Sequence, residues 1–281
     1  MVKPGIFQEH ELLPETVDGA VWRFSRPDQK PAHFHGQIEF LLIRRGFARE
    51  RIGRGVHTAH AGQLLWHLPG IQHELVEASS DLDLRVVHVE PDLARANDRP
   101  LFSWVSELGS LAAGRPVVEL ERRSVDALLE DIDLTSNEPA WPRDAKPRLR
   151  RALANAWRAT KSEHDDRRQN SLVELACCLL LEQPWLDRPG VCRALDVSEG
   201  YLSRRFSAEL GLSFLEQRAR LRIVRFIAHV TREGQSYLDA ALHAGFGSYS
   251  QLHRVFVHML GMSPRAYFEA EGRNRRGGVT R

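Results

Sequence analysis

An internal repeat in the last third of the chain narrows the fold further than any other feature. At an offset of fifty residues, Ala194 aligns with Ala244, Ser198 with Ser248, Leu202 with Leu252 and Arg204 with Arg254. The same offset pairs Phe206 with Phe256, Leu210 with Leu260, Gly211 with Gly261 and Ser213 with Ser263. These are eight identities in twenty ungapped positions, where chance gives about one or two. Two copies are too few for a solenoid, which needs about three or more, so a duplicated two-helix unit is expected. In each copy a short helix, Pro189–Leu195 or Tyr237–Ala244, ends in a turn, Asp196-Val197 or Gly245-Phe246-Gly247. Ser198 or Ser248 then caps the next helix by accepting from its orphan N–H groups. Leu202, Phe206 and Leu210 fall at i, i+4 and i+8, a stripe for burial that Leu252, Phe256 and Leu260 repeat. Gly211 and Gly261 end both helices.

The exposed faces of such a unit indicate its use. They carry Glu199, Gly200, Ser203, Arg204 and Ser207 in one copy, and Tyr249, Ser250, Gln251, His253 and Arg254 in the other. Small polar residues and an arginine at the start of a capped helix suit a helix end that enters the major groove of DNA. The charge distribution agrees. The chain of 281 residues has a formal net charge of only +2, yet residues 191–281 hold fourteen arginines against eight carboxylates. The four lysines, Lys3, Lys30, Lys146 and Lys161, all precede that segment. Arginine presents a planar donor fork that matches phosphates and guanine edges. Between the copies, Ser213–Arg232 reads as one helix of about 30 Å. That length is near the roughly 34 Å between successive major-groove faces on one side of B-DNA. Its Arg218, Arg220, Arg222 and Arg225 are candidates to meet phosphates, with some of them expected in ordinary surface salt bridges. The plainer alternative is an αα-hairpin bundle whose polar face is merely solvated.

The first ninety residues have a different texture. Ala20–Phe24, Glu39–Arg44, Gln63–Trp66 and Leu82–His88 are β-rich stretches separated by Gly, Pro and Asp. From about Pro100 the periods become helical, in Leu101–Leu111, Ser124–Leu134 and Pro147–Lys161. Val125, Leu128, Leu129 and Ile132 form one apolar stripe, suited either to covering the N-terminal strands or to joining two copies of the chain. No run reaches the roughly 18 apolar residues of a membrane helix, and no secretory h-region is visible after Met1. Cys177, Cys178 and Cys192 form no C-x-x-C pair and read as free thiols, so a cytoplasmic protein is expected. Hydrophobic content of 42% and charged content of 27% are those of a globular chain.

A second constellation lies among the strands. In His33-x-His35-x3-Glu39 the three side chains share one face of an extended chain, so two imidazoles and a carboxylate converge. Pro69-Gly70-Ile71-Gln72 then turns His73 towards a neighbouring strand. Burying such groups costs free energy unless a metal, a polar ligand or water satisfies them. His57, His60, His67 and His88 read as ordinary polar core or surface residues. There is no Gly-rich phosphate loop and no Ser-His-Asp order, and no catalytic nucleophile is assigned.

Ala241-Leu242-His243-Ala244-Gly245-Phe246, followed by Ser248, Phe256, Gly261 and Ser263-Pro264-x-x-Tyr267, resembles the signature of AraC/XylS-type transcription regulators over about Gln169–Phe268. The resemblance implies base contacts from Gly200, Ser203 and Arg204 in one helix and from Tyr249, Ser250, Gln251 and Arg254 in the other. Asp196 stands where that family usually has glycine in the first turn. The segment Trp22–Glu90 resembles the two motifs of the cupin barrel. This second resemblance carries His33, His35, Glu39 and His73 onto metal-ligand positions, for zinc, nickel or iron, or else onto an effector pocket. Glu77 departs from the asparagine common in metal-binding cupins.

The expected protein is α+β. A cupin-like sensor barrel spans 1–96 and a helical connector, the candidate dimerisation element, spans 97–166. A double helix-turn-helix reader spans 167–270, and 271–281 form a flexible basic tail. Its expected partners are double-stranded DNA, a small-molecule effector and a second copy of itself, with no membrane and no enzymatic activity. The rival reading is a metal-dependent cupin oxygenase or isomerase with a helical assembly domain. The matched exposed arginines oppose it, because assembly needs none.

Overall fold

The computed structural model describes residues 19–25, 30–94, 116–136, 145–162 and 172–277. The N-terminal strands are β1 (Gly19–Phe24), β2 (Lys30–His33), β3 (Ile38–Arg45), β4 (Phe47–Ile52), β5 (Gly55–His60), β6 (Gln63–His67), β7 (His73–Ala78) and β8 (Asp83–Val89). A short helix α1 (Pro91–Ala94) and a ninth strand, β9 (Val117–Glu119), follow. They form two antiparallel sheets, one in the order β1-β8-β3-β6-β9 and one in the order β2-β7-β4-β5. The four stretches expected to be β all form strands. The charged β4 and β7 and the polar β5 escaped notice because their outward faces dilute the apolar signal. β9 belongs to the five-stranded sheet, although it lies in the stretch expected to be purely helical.

Strand alternation divides the barrel's apolar residues between two faces. Leu41, Ile43, Leu65, Leu84 and Val86 point between the sheets. Phe40, Leu42, Leu64, Trp66 and Val87 point outward and are covered by helices α2 (Arg122–Ser136) and α3 (Ala145–Ser162). The stripe on α2 is used inside the chain, with Leu128 and Ile132 fully buried in that layer. Trp66 Nε1 donates to Thr160 Oγ1 of α3 at 3.3 Å, which pins the helix to the sheet. The stretch 101–111 lies outside the described residues.

The C-terminal helices are α4 (Leu172–Glu182), α5 (Arg188–Leu195), α6 (Glu199–Glu209), α7 (Phe214–Arg232), α8 (Tyr237–His243), α9 (Tyr249–Leu260) and α10 (Pro264–Gly277). The caps are those the sequence implies. Ser198 Oγ accepts from the Tyr201 N–H at 3.2 Å, and Ser248 Oγ from the Gln251 N–H at 3.1 Å. Ser213 and Glu216 form a reciprocal capping box at the start of α7. Helix α10 runs to Gly277, into the segment expected to be a flexible tail.

The repeat needs one correction. The offset of fifty holds from Ser198 onward, but the helix before it matches at forty-nine. Val197 N–H donates to Cys192 O, and Phe246 N–H to Ala241 O, each at 3.0 Å. Asp196 (φ 52°) and Gly245 (φ 89°) are the left-handed turn residues, and Gly247 is the extra residue in the second copy. Ala194 is exposed whereas Ala244 is buried, so their identity is coincidental. Asp196 is the single non-glycine residue with positive φ among the described residues, and aspartate tolerates that conformation better than most side chains.

Candidate functional site

Helices α6 and α9, expected to read DNA, each bury two residues, Leu202 with Phe206 and Leu252 with Phe256, and turn the opposite face outward. Gly200, Arg204, Ser250, Gln251 and Arg254 are exposed, and Ser203 and Tyr249 are half-buried. Arg204 and Arg254 occupy matched positions, and neither guanidinium meets a carboxylate or hydrogen-bond acceptor among the described residues. Other basic side chains nearby are paired. Arg188 binds Glu199 at 2.6 Å, Arg205 binds Glu209 at 2.5 Å and Arg265 binds Glu269 at 2.7 Å. Two expected readers also hold the local structure. Gln251 Oε1 accepts from the Gly247 N–H at 2.8 Å, fixing the turn. Tyr249 stacks on Tyr237, with ring centroids 6.3 Å apart.

The arginines of α7 do not form the expected phosphate row. Arg220 and Arg222 are buried. Arg222 donates twice to Pro184 O, at 2.8 and 2.6 Å, Arg225 donates to Leu181 O, and Arg218 donates to Trp185 O at 3.1 Å. Arg220 lies over the Phe34 ring, 5.1 Å from its centroid. These side chains hold the segment after α4, and the barrel, against α7. Helical spacing could not reveal this, because it does not say which face a neighbour covers.

That neighbour is the sensor barrel. Gln217 Nε2 donates to Gly70 O at 2.7 Å, the Arg54 N–H donates to Glu209 O at 3.0 Å, and Arg232 pairs with Glu90 at 2.6 Å. The close approach requires glycines. A Cβ at Gly36 would lie 2.3 Å from Val224 Cγ1, and one at Gly70 2.1 Å from Leu221 Cδ2. The Gly70 N–H also donates to His35 O at 2.8 Å, so the two loops bearing His35 and His73 meet each other and α7.

Inside the barrel the expected residues converge. His33 and His73 are cross-strand partners, and with His35 their ligand atoms lie within 4.8 Å of one another. Glu39 joins them, and so do three residues not expected there. His67 and His88 both stand opposite Glu39 in register, on the strands flanking β3. His67 Nδ1 is 2.5 Å from Glu39 Oε1, and its Nε2 is 2.7 Å from Glu50 Oε2. His35 Nε2 donates to Glu39 Oε2 at 3.1 Å, and His88 Nε2 meets the same oxygen. Strand alternation placed Glu39 inside, but the register linking it to β6 and β8 is a long-range choice that leaves no local signal.

The electrostatics follow from the packing. Burial would hold the His67 imidazole low, but the Glu50 and Glu39 carboxylates outweigh it and raise its pKa to about 10. Burial acts to raise the Glu39 carboxyl, yet His88 and His67 hold it well below the usual carboxylate range. Burial and the His67 cation stacked on it at 3.9 Å push His73 well below an ordinary histidine. Burial and His88 likewise lower His35. His35 Nδ1 and His73 Nε2 are buried nitrogens without a hydrogen-bond partner, which fits a group that accepts electron pairs, such as a metal ion. The cavity beside them, walled by Trp22, Phe24, Leu75 and Val86, has a volume of about 40 Å³.

The comparisons with known proteins agree with this architecture. A family model described as an AraC-like ligand binding domain matches residues 16–153, and one described as a helix-turn-helix domain matches residues 191–270. No curated protein matches the chain. The structure of an apo ToxT variant from Vibrio cholerae strain SCE256 shares the fold at a TM-score of 0.50 and 13% identity, covering 91% of this chain and 98% of that one. ToxT from Vibrio cholerae in another crystal form gives 0.48 and 15%, covering 89% and 96%. The AraC-like transcriptional activator CuxR gives 0.37 and 18%, covering 71% and 70%. No helix among the described residues is long and apolar enough to cross a membrane. With an AraC-like ligand-binding domain matched at one end and a helix-turn-helix domain at the other, the chain belongs to the AraC-type transcription regulators.

Proposed function

We propose that the chain reads two major-groove segments of double-stranded DNA with α6 and α9, and that the barrel cavity switches this reading. Arg204 and Arg254 supply the direct base contacts, with Ser203, Ser250 and the outward amide of Gln251 beside them. Gly200 lets the backbone approach, and Tyr249 offers its hydroxyl while its ring stays packed. The observation that carries this reading is the pair of exposed, unpaired guanidiniums at equivalent positions of the two units. Footprinting should find a protected site. Arg204→Ala and Arg254→Ala should each cost about 1–3 kcal/mol on that site while non-specific binding persists. Wild-type affinity in both variants would disprove the assignment.

The switch site in this reading is the cavity that His33, Glu39 and His73 line, with His35 hydrogen-bonded to Glu39 beside it. Its volume of about 40 Å³ is ample for water or an ion. A first-row divalent ion such as zinc, nickel or iron, or a small polar effector, would satisfy the polar groups that line it. The effector must bind one arrangement of barrel and reader better than the other, or it shifts nothing. We further infer a cytoplasmic protein, and a homodimer on DNA that sedimentation of the complex would reveal. The interface would lie away from the α2 stripe, since Leu128 and Ile132 are buried within the chain.

A further inference from the structure

We propose that the barrel cavity takes a protonated primary amine with an apolar body and rejects a carboxylate on the same body. This names the effector class of the switch site and rests on that reading of the cavity.

The cavity wall offers acceptors. His73 Nδ1 lies 3.0 Å from Ile71 O, a carbonyl that can only accept, so Nδ1 carries the proton and Nε2 keeps its lone pair. That Nε2 is buried without a hydrogen-bond partner, 3.8 Å from Glu39 Oε1. A single nitrogen placed about 2.9 Å from each atom spans that gap and donates to both. Glu50 supplies a further acceptor. It is 5% exposed and lines the same cavity, and its Oε2 is a buried oxygen without a hydrogen-bond partner. His67 Nε2 faces that oxygen at 2.7 Å without the alignment of a hydrogen bond. An ammonium group brings three N–H donors to these acceptors.

The donors of the site are turned onto the protein itself. His35 and His88 each direct Nε2–H at Glu39 Oε2, His67 directs Nδ1–H at Glu39 Oε1, and His73 directs Nδ1–H at Ile71 O. Among the described residues no arginine or lysine lines the cavity. A carboxylate entering it would face Glu39 and Glu50 with neither of those cations to offset its desolvation. The rest of the wall is apolar and aromatic, with Trp22, Phe24, Leu75, Leu84 and Val86. Such a wall takes a hydrocarbon body, and an aromatic face attracts a cation.

The test uses the full chain held in a chelator and titrated by calorimetry at neutral pH with ethylamine, butylamine and benzylamine. Pentanoate and phenylacetate carry the butyl and benzyl bodies on a carboxylate. Butylamine or benzylamine should bind at least about tenfold more tightly than its matched acid. Glu50→Gln should weaken the amine about 10–100-fold, as for loss of a hydrogen bond to a charged group. Trp22→Leu, at a half-buried wall position, should weaken it about 2–10-fold, and it serves if circular dichroism shows that the amide variant is unfolded. Silence of all three amines at millimolar concentration overturns the proposal. So does an acid that binds as tightly as its matched amine, or amine affinity unchanged in every folded variant. Zinc(II) uptake, once the chelator is removed, by a chain that takes no amine overturns it too. A footprint on DNA that Glu50→Gln alters and no amine alters would overturn this inference alone. Amine binding that leaves the footprint unchanged would overturn the switch reading and leave the ligand class standing.

Discussion

In the first helix-turn-helix unit, Leu202 and Phe206 belong to a hydrophobic core that continues through α4 and the connector helices to Phe40 and Trp66 of the barrel. In the second, Leu252 and Phe256 close a separate core with Ile223, Phe226 and Tyr267. Helix α7 is the seam, with Leu221 in one core and Ile223 in the other. Two units of the same sequence pattern therefore occupy different mechanical settings. Continuous packing joins the barrel to α6, whereas α9 packs in the separate core that α7 also lines. Duplication supplied two similar helix-turn-helix units, and the docking of the barrel joined the core of one of them to its own.

The largest effect should come from the two fully buried phenylalanines. Phe206→Ala and Phe256→Ala should each cost about 3–5 kcal/mol. Phe206→Ala should weaken barrel and first unit together, and Phe256→Ala should release the second unit while the barrel keeps its amide protection. Hydrogen exchange resolved along the chain would show this, and identical protection patterns in both variants would remove the division into two cores.

A smaller effect separates two glycines with the same φ of 73°, Gly70 and Gly261. An alanine at either carries about 1–2 kcal/mol of left-handed strain. At Gly261 no heavy atom stands within 4 Å of the new Cβ, so strain is the whole cost. At Gly70 the Cβ also meets Leu221 of α7, so Gly70→Ala should cost more and should raise exchange in α7. Equal losses of stability for the two variants would mean that the barrel does not press on α7.

The smallest effect is a pH dependence confined to the first unit. Burial and the Glu209 carboxylate raise the Glu174 carboxyl well above its usual range, and its Oε2 is sealed from solvent. The unfolded chain releases this proton near pH 4.3 and the folded chain releases it later. Stability from this group is therefore whole below that pH and declines as pH rises towards the folded value. Glu174→Gln should remove the decline, so its thermal stability relative to wild type should grow from about pH 5 to pH 8. Parallel profiles would show that Glu174 ionises normally.

Much of this was legible in the sequence because it is local. Ser198, Ser213 and Ser248 cap helices a few residues ahead of them, and the i, i+4 spacing of Leu202 and Phe206 names a buried face whatever packs against it. Strand alternation likewise put His33, His35 and Glu39 on one side of the chain. The one-residue shift in the repeat was hidden because Asp196 and Gly245 adopt the same turn with different residues, and the chance match of Ala194 to Ala244 concealed Gly247.

By itself the sequence determined the duplicated reader, its caps, its two outward arginines and the convergence of imidazoles with a carboxylate. Each depends on contacts within a turn or along a single strand. Only the tertiary structure decided that Arg222 and Arg225 hold backbone carbonyls instead of phosphates, and that Glu39 is held by His67 and His88. It also decided that Gly70 rests on Leu221 and thereby joins the sensor to one reading unit. Those outcomes depend on which faces and registers meet across long stretches of chain. The same local pattern is compatible with several such meetings, and the shared core of barrel and first unit selects one.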